Sequence, residues 1–427
     1  MDARQSRTWI SIAETFRALR HRNFRLFFTG QLLSLVGTWM QIVASSWLVY
    51  RLTNSPFLLG CVAFASQIPS FLLSPYAGVV ADRHDRRRML LVIQVLSLAQ
   101  AVILSYLVLT GAITVWHILI LGIFLGCVTA FDLPVRQAFI SEMVEDRKDM
   151  NNAIALNSAL FNASRLIGPA VAGVVIALFG EGVCFAINAL SFIPIIIALM
   201  MMRVSSRRRD GKLRHALTEM KEGMRYVAQS IPIRTLLLLL AAVSFLAGGL
   251  QTLLPIFVRE IYHGGSRAFG FVTSMSGVGA LLGSLYLAGR RTVLGLGRMV
   301  GWATVGFGTG LVLFGIVNNT YVAGVVAFFL GLAMILAIGS TNMVLQTVVE
   351  EDKRGRVMSL YGAALVGLTP VGSIIAGASA GQVGLEQTVL AGGLVCLVTA
   401  VVYWRHYPSF RTQLRAVYVK KGILTEA

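Results

Sequence analysis

Long apolar stretches alternate with short polar segments along most of the chain. Each stretch has about 20 residues or more, the length that a helix needs to cross the apolar core of a membrane. They lie near residues 26–50, 57–80, 89–110, 115–138, 153–179 and 183–202, and then near 235–258, 268–289, 299–317, 321–348, 357–380 and 388–404. The pattern predicts an all-α membrane protein with twelve transmembrane helices in two groups of six.

A polar, basic stretch separates the two groups. We therefore predict an N-terminal six-helix bundle over 1–202, a cytoplasmic linker over 203–234, and a C-terminal bundle with a cytoplasmic tail over 235–427. Within the linker, apolar residues recur at helical spacing among charged ones: Leu213, Leu217, Met220, Met224 and Val227. This pattern predicts an amphipathic helix that lies on the inner leaflet or packs under the bundle.

Composition excludes the soluble classes of protein. Of the 427 residues, 56% are hydrophobic and only 13% are charged, and the mean hydropathy is +0.74. A soluble globular chain carries about 25% charged residues. A soluble enzyme, a disordered protein and a secreted disulfide scaffold are therefore all excluded.

The net charge of +18, from 37 basic and 19 acidic residues, has a topological explanation. If the N-terminus is cytoplasmic, all but four of the 37 lie in segments that face the cytoplasm; the exceptions are Arg51, Arg165, Arg259 and Arg267. Cytoplasmic loops of membrane proteins carry such an excess of Lys and Arg. The charge predicts a multi-pass membrane protein with both termini in the cytoplasm, and no nucleic-acid partner.

The two halves of the chain carry matching motifs in one register. The glycine-to-arginine segment Gly78 to Arg88 after span 2 matches Gly283 to Arg291 after span 8, about 205 residues later. Gly168 and Gly173 of span 5 match Gly372 and Gly377 of span 11 at nearly the same offset. Since each unit has an even number of spans, the two repeats are parallel. Membrane transporters built from parallel repeats bind their substrate near the midplane between the two halves.

The loop after span 2 resembles a motif of the major facilitator superfamily. It reads Gly78-x-x-x-Asp82-Arg83-x-x-Arg86-Arg87, although Asp85 stands where the motif usually has glycine. Four further stretches resemble the transmembrane secretion effectors, a bacterial exporter subfamily that includes the enterobactin exporter: those beginning at Phe131, Asn152, Arg165 and Glu222. The resemblance runs from about Phe16 to about Trp404.

This resemblance implies the major facilitator fold, a bacterial inner (plasma) membrane location and transport of a small molecule. The subfamily moves chemically diverse solutes, so the resemblance names no substrate. In span 5 it implies a helix-packing motif formed by Gly168, Pro169 and Gly173. This motif is one residue wider than the pattern typical of antiporters.

Polar residues inside the spans are the candidates for a substrate cavity. In span 1 they recur every three or four residues and so share one helical face: Gln31, Ser34, Thr38, Gln41 and Ser45. We favour a cavity wall for this face; the alternative is polar contact between helices within the bundle. Further candidates, which would together form a polar wall, are Gln67, Asn157, Gln251, Asn342 and Gln346.

Arg165 is the one basic residue deep in a span. An arginine at the centre of a membrane helix costs roughly 2.5–3.5 kcal/mol on insertion scales, so it needs water, a ligand or a counter-charge. It can contact an anion or substrate, or pair with a proton-linked acid. It can equally bond backbone carbonyls and lock the bundle.

Charged residues near the cytoplasmic ends of the spans are candidates for gating and coupling. Asp132 and Arg136 are four residues apart in span 4 and can pair along one helix face. Family analogy places the loop group of Gly78, Asp82, Arg83 and Arg86 close by, near the start of span 11. We expect this cluster to latch the cytoplasmic side closed, and Asp132 or Asp82 to carry a coupled proton.

Three functional hypotheses follow. The first is a proton-coupled exporter of a small amphiphilic, drug-like or siderophore-like compound, which works by alternating access. The second is an uptake or lipid-moving facilitator of the same fold, and the third is a sensor or assembly partner that does not transport. The sequence has no phosphate-binding P-loop and no zinc-protease motif, so we predict no enzyme activity, no metal and no cofactor, and a monomer whose partners are lipid and the substrate.

Overall fold

The computed structural model describes residues 16–144, 146–203, 216–290 and 292–421. The side chains of residues 75, 78, 79, 82, 147, 151, 216–221, 352 and 420 lie outside the described part. The described residues are almost entirely helical and include no strand. Twelve of the helices are long and apolar enough to cross a membrane, which confirms the predicted count.

The first six spans form the N-terminal bundle. They are the helices Arg22–Thr53, Pro56–Arg83, Arg86–Leu109, Val115–Met143, Met150–Phe179 and Glu181–Met201, called spans 1 to 6. A short 3-10 helix, Arg17–Arg20, precedes span 1. Asp85 caps span 3 by accepting a hydrogen bond from the amide of Arg88. Its φ of −64° is open to any residue, so glycine is not required there.

The second six spans form the C-terminal bundle. Span 7 is Ile231–Ile256 and continues through a π-helical turn, Phe257–Ile261; spans 8 to 10 are Ser266–Ala288, Leu296–Ile316 and Thr320–Val348. Span 11 joins Glu351–Gly362, the π-helical turn Ala363–Gly367 and Leu368–Val383. Span 12 is Leu385–Lys420. π-Turns inside long helices are often found at functional sites.

Span 12 runs 16 residues beyond its predicted end at 404. Arginines interrupt the hydropathy there, but an apolar stripe at helical spacing continues through Tyr403, Phe410, Leu414 and Tyr418. All four side chains are buried in one cluster with residues of spans 7, 9 and 10. The packing of this stripe extends the helix where average hydropathy predicts a tail.

The linker contains the helix Ala216–Gln229. Its described half packs on span 11, where Glu222 pairs with Arg356 at 2.9 Å and Lys353 lies over the ring of Tyr226. Of the predicted stripe, Val227 packs against the C-terminal bundle and Met224 is exposed. Leu213, Leu217 and Met220 lie outside the described side chains. Of the two predicted placements, the contacts favour packing under the bundle.

Candidate functional site

A cavity of about 110 Å³ lies between the two bundles. Spans 1 and 5 of one bundle and spans 7 to 10 of the other line it. Its polar lining consists of Ser46, Arg165, Gln251, Thr273 and Ser276, and its aromatic lining of Trp39, Phe269 and Phe314. The arrangement is a mostly apolar chamber with a few polar groups, as is usual for small-molecule sites.

Arg165 supplies the one formal charge of this cavity lining. Its guanidinium lies over the ring of Trp39, 5.7 Å from the ring centroid. No hydrogen bond or ion pair joins the side chain of Arg165 to a described residue. The described side-chain hydrogen bonds of span 5 belong to other residues, Asn152, Ser158 and Asn162. The guanidinium is therefore available to an acceptor inside the cavity.

The bundles close on one face of the protein. We call this the neutral face; it carries Glu181 and Glu260, and the opposite, basic face carries Arg86 and Arg356. Near the neutral face the backbones of spans 5 and 8 almost touch, because a Cβ on Gly173 would lie 2.7 Å from the carbonyl oxygen of Ser266. Only a glycine permits this approach.

Spans 2 and 11 make the matching contact. A Cβ on Gly377 would lie 2.6 Å from the carbonyl oxygen of Pro56 and 3.1 Å from the Cα of Gly60. Gly173 and Gly377 are equivalent residues of the internal repeat. The two contacts are thus related by the duplication, and together they hold the bundles closed at the neutral face.

Aromatic and charged side chains complete this closure. Trp47 of span 1 stacks on Phe269 of span 8, with ring centroids 5.7 Å apart. The hydroxyl of Tyr50 donates to the carboxylate of Glu260 in span 7, and Arg259 lies over the Tyr50 ring. These three contacts cross from one bundle to the other.

Spans 2 and 11 still meet where the ring of Phe71 lies against Gly367, but nearer the basic face no described hydrogen bond or glycine contact joins the bundles. Leu72 and Tyr76 of span 2, Phe161 of span 5 and Leu285 of span 8 are all exposed. Among the described residues, every ion pair at this face lies within the N-terminal bundle or within the C-terminal half and its linker. The structure is therefore closed at the neutral face and open at the basic face.

The polar face of span 1 lies mainly inside the N-terminal bundle. Gln31, Ser34 and Gln41 are buried; Gln41 donates to Gln100 of span 3 at 3.0 Å and accepts from Asn188 of span 6 at 2.7 Å. The structure does not place these three residues on the cavity wall. For Gln41, the hydrogen bonds to Gln100 and Asn188 match the alternative of polar contact between helices. Thr38 and Ser45 are half-buried, and Thr38 bonds its own helix.

The cavity meets the neighbouring stripe of span 1 instead: Trp39, Ile42, Val43 and Ser46. This stripe is offset by one residue, about 100° around the helix. Five polar residues at helical spacing show that they share a face. They do not show whether that face meets the other bundle or the inside of its own.

Of the five remaining cavity candidates, the structure places one on the cavity wall and four elsewhere. Gln251 lines the cavity with Arg165. Gln67 bonds the backbone of its own helix, and Asn157 is half-buried. Asn342 accepts from the exposed Gln346 at 2.6 Å, toward the basic end of span 10. The structure does not bring these four residues to one wall with Arg165.

Gly168, Pro169 and Gly173 lie at helix contacts. A Cβ on Gly168 would meet Trp39 and Val36 of span 1, and the Pro169 carbonyl oxygen lies against Gly270 of span 8. The motif thus joins span 5 both to its own bundle and to the opposite one.

The predicted latch does not bridge the bundles among the described side chains. Asp132 and Arg136 form an ion pair with each other, as their spacing predicts. Arg86 pairs with Glu142 of span 4 at 2.6 Å, a partner that the sequence reasoning missed. Arg83 is exposed, and the side chains of Gly78 and Asp82 lie outside the described part.

Two of the arginines that break the charge asymmetry take part in contacts at the neutral face. Arg51 binds Glu181 through two hydrogen bonds of 2.8 and 3.2 Å, and Arg259 covers Tyr50. Their positions against the positive-inside rule could have indicated this role. The sequence offered no comparable signal for Trp39, Thr273 and Ser276.

Twelve spans in two repeated bundles around a central cavity are the architecture of secondary transporters with parallel repeats. The sequence profile of the transmembrane secretion effectors, a major facilitator family, matches residues 13–416. The chain belongs to this family, and it is a membrane transporter and not an enzyme.

Individual relatives agree with this assignment. The chain is 26% identical to the staphyloferrin A transporter of Staphylococcus aureus, over 89% of this chain and 95% of that protein. It is also 26% identical to the multidrug efflux pump Tap of Mycolicibacterium fortuitum, over 86% and 91%. Macrolide efflux protein A of Streptococcus pyogenes is 22% identical over 90% and 96%.

Solved structures share the fold. A bacterial homolog of the human lysosomal transporter Spinster superposes with a TM-score of 0.67 at 15% identity, over 92% of this chain and 98% of that one. A bacterial homologue of the iron transporter ferroportin gives 0.70 at 16% identity, over 90% and 98%.

Proposed function

We propose that the protein is a proton-coupled exporter of a small amphiphilic compound that carries an acidic group, in a bacterial inner membrane with both termini in the cytoplasm. The names of its relatives support export of drug-like or siderophore-like compounds. The observation that carries the acidic group is the guanidinium of Arg165, which has no described hydrogen-bond or ion-pair partner and lies in the cavity between the bundles, beside Trp39.

The cavity suits such a compound chemically. Arginine offers a planar fork of donors that binds a carboxylate through two parallel hydrogen bonds. Trp39, Phe269 and Phe314 offer apolar surface to the rest of the molecule. Gln251 and Thr273 add neutral hydrogen-bonding groups. An amphiphile with one acidic end would satisfy both kinds of wall.

The direction of access follows from the two faces. If the basic face is cytoplasmic, as its excess of arginine supports, the present state receives a compound from the cytoplasm. Separation of the glycine contacts at the neutral face would then release it outside. This is alternating access by rocking of two bundles about a midplane site.

Asp132 is our candidate for the coupled proton, with Asp82 as the second. Asp132 lies in span 4 and pairs with Arg136. One of its oxygens is buried without a described hydrogen-bond partner. A proton on this carboxylate would release Arg136, which supports a role in coupling. If Asp132→Asn left proton-driven export unchanged, the role would pass to Asp82.

Transport by everted membrane vesicles tests the proposal. A panel of acidic and neutral amphiphiles is offered with and without a protonophore, to the wild type, Arg165→Gln, Arg165→Lys and the control Arg405→Gln, which removes an exposed charge from span 12. We expect protonophore-sensitive uptake into the vesicles. Loss of a hydrogen-bonded charge should raise KM for acidic compounds at least about tenfold in Arg165→Gln, with partial rescue by lysine.

Each other outcome has a distinct meaning. Flux in the opposite direction would favour the uptake or lipid-moving facilitator. No flux of any compound, with a cellular phenotype that survives Arg165→Gln, would favour the sensor. Equal KM changes for acidic and neutral compounds would contradict only the proposal that the substrate carries an acidic group; the proposal of export would stand.

A further inference from the structure

A second, larger space lies wholly within the N-terminal bundle. It is a groove of about 600 Å³ between the basic end of span 2 and the adjoining parts of spans 3 and 4. Its walls are apolar and include Val92, Leu96, Phe124 and Phe131. The first three are 54%, 37% and 40% exposed. The groove therefore opens outward, along about 10 Å of span 3 below its first turn.

The mouth of the groove is basic. Arg83, His84 and Arg88 line it and are all exposed. Asp85 also lies there, but its carboxylate already accepts from the amide of Arg88. Two guanidiniums against one carboxylate leave the mouth positive. The amino end of span 3 adds the favourable end of a helix dipole.

The neighbouring arginines show that these two are available for a ligand. Arg86 pairs with Glu142, and Arg87 donates to the carbonyl oxygens of Leu199 and Met200 at 2.6 and 2.7 Å. Arg83 has no ion-pair partner among the described side chains. The side chain of Arg88 is 88% exposed and makes only a long contact of 3.7 Å with the carboxylate of Asp85. The loop thus divides its charges between the protein and the groove mouth.

The groove differs from the transport cavity in one decisive respect. Every residue that lines it belongs to spans 2 to 4 and the loop between spans 2 and 3. Rocking of one bundle against the other would neither open nor close it. A molecule bound there would move with the N-terminal bundle, as a resident ligand and not as cargo.

We propose that this groove binds an anionic phospholipid from the leaflet at the basic face. The phosphate would lie between Arg83 and Arg88, and the acyl chains would follow Val92, Leu96 and Phe124. Basic pockets between membrane helices on the cytoplasmic side bind anionic headgroups in this way. The proposal rests on the orientation proposed above, but not on the identity of the transported compound.

Lipid-dependent stability of the purified full-length protein tests the proposal without any transport measurement. The probes are phosphatidylglycerol, phosphatidylcholine and inorganic phosphate, added to the wild type, the double variant Arg83→Gln/Arg88→Gln and the control Arg405→Gln/Arg411→Gln, which loses two exposed arginines of span 12. We expect phosphatidylglycerol to raise Tm by about 2 °C or more above phosphatidylcholine in the wild type and the control. The double variant should lose this difference.

A groove-filling variant separates the acyl chains from the headgroup. Val92→Trp keeps both arginines and should lose the same difference, which guards against misfolding of the double variant. Native Cys127 lines the groove, so phosphatidylglycerol should slow its labelling by a maleimide, followed by peptide mass spectrometry. Native mass spectrometry should show one fewer retained anionic lipid in both variants.

Three outcomes would overturn the proposal. Equal stabilisation of the wild type and Arg83→Gln/Arg88→Gln by phosphatidylglycerol would remove the site. Stabilisation by inorganic phosphate alone would assign an anion site without a lipid. A dimer that dissociates in Val92→Trp would assign the groove to a second copy of the chain.

Discussion

The neutral and basic faces of the bundle interface differ in the interactions that stabilise them. At the neutral face, helix backbones approach through Gly173 and Gly377, and few charged groups take part. At the basic face, ion pairs such as Arg86–Glu142 are more numerous, but each described pair stays on one side of the interface. The face with fewer charges is the one that joins the bundles.

This difference has a mechanical consequence. Contacts between small residues are close and apolar, so they hold two helices together without burying a charge. Ion pairs confined to one bundle keep that bundle rigid while it moves. The neutral face thus behaves as a gate between the bundles. The ion pairs of the basic face stabilise each half internally while the gate opens and closes.

Gly173→Val should have the largest effect on closure of the neutral face. Its side chain would meet the backbone of Ser266 and Gly270, which cannot yield as a flexible side chain can. We expect the neutral face to stay open and transport to fall more than about tenfold. Transport in vesicles, and the distance between spin labels at Asn54 and His263, would measure the two effects.

Gly381→Val is the matched control, since a Cβ on Gly381 has nothing within 4 Å. Near-normal transport by Gly381→Val and by Gly173→Val alike would show that the glycine contact does not form the gate.

Tyr50→Phe should weaken the same gate without blocking it. The variant removes the hydroxyl that donates to Glu260 across the interface. Loss of a hydrogen bond to a charged group should raise the ratio of open to closed neutral face by about tenfold or more. Spin-label distances report that ratio. Tyr321→Phe, an exposed tyrosine at the start of span 10, should leave it unchanged, and an equal shift in both variants would exclude a specific latch.

The sequence predicted the fold well because a membrane imposes few solutions. Apolar length decides which segments span, and parity of the spans decides how the repeats relate. The match of Gly173 with Gly377 indicated the repeat, although it did not predict that both glycines form contacts between the bundles. The end of span 12 was missed because burial of Phe410 and Leu414 depends on tertiary packing, which average hydropathy does not see.

The site was predicted less well, and for a related reason. Arg165 and Gln251 were found because a polar group inside a membrane needs a partner. The contact between Tyr50 and Glu260 joins residues 210 apart in sequence, and no local pattern pairs them. The polar face of span 1 was assigned to the wrong neighbour, since periodicity fixes a face but not what covers it.

Gln41→Leu tests whether a polar contact inside the N-terminal bundle contributes to stability and not to substrate binding. The leucine would leave Gln100 and Asn188 without their described partner inside the N-terminal bundle. Each unsatisfied buried group costs about 1–3 kcal/mol, so Tm should fall by several degrees. Because Gln41 does not line the cavity, KM should stay within about twofold. A large rise in KM with unchanged Tm would return Gln41 to the substrate site.

Asp149→Asn should have the smallest effect. Its pH dependence tests an ion pair that stabilises the N-terminal bundle at the basic face. The hydrogen bond from His21 and the nearby guanidinium of Arg17 hold the pKa of Asp149 below its ordinary value. A lowered folded-state pKa stabilises the fold above the ordinary aspartate pKa, and this contribution is lost as pH falls through the folded-state value, below about 4. The wild type should therefore exceed Asp149→Asn in Tm at pH 6, and the difference should shrink progressively as the pH falls below about 4. Asp146→Asn, an exposed neighbour, should show no such difference. A difference for Asp149→Asn that does not shrink as the pH falls below about 4 would mean that the charge of Asp149 is not what stabilises the N-terminal segment.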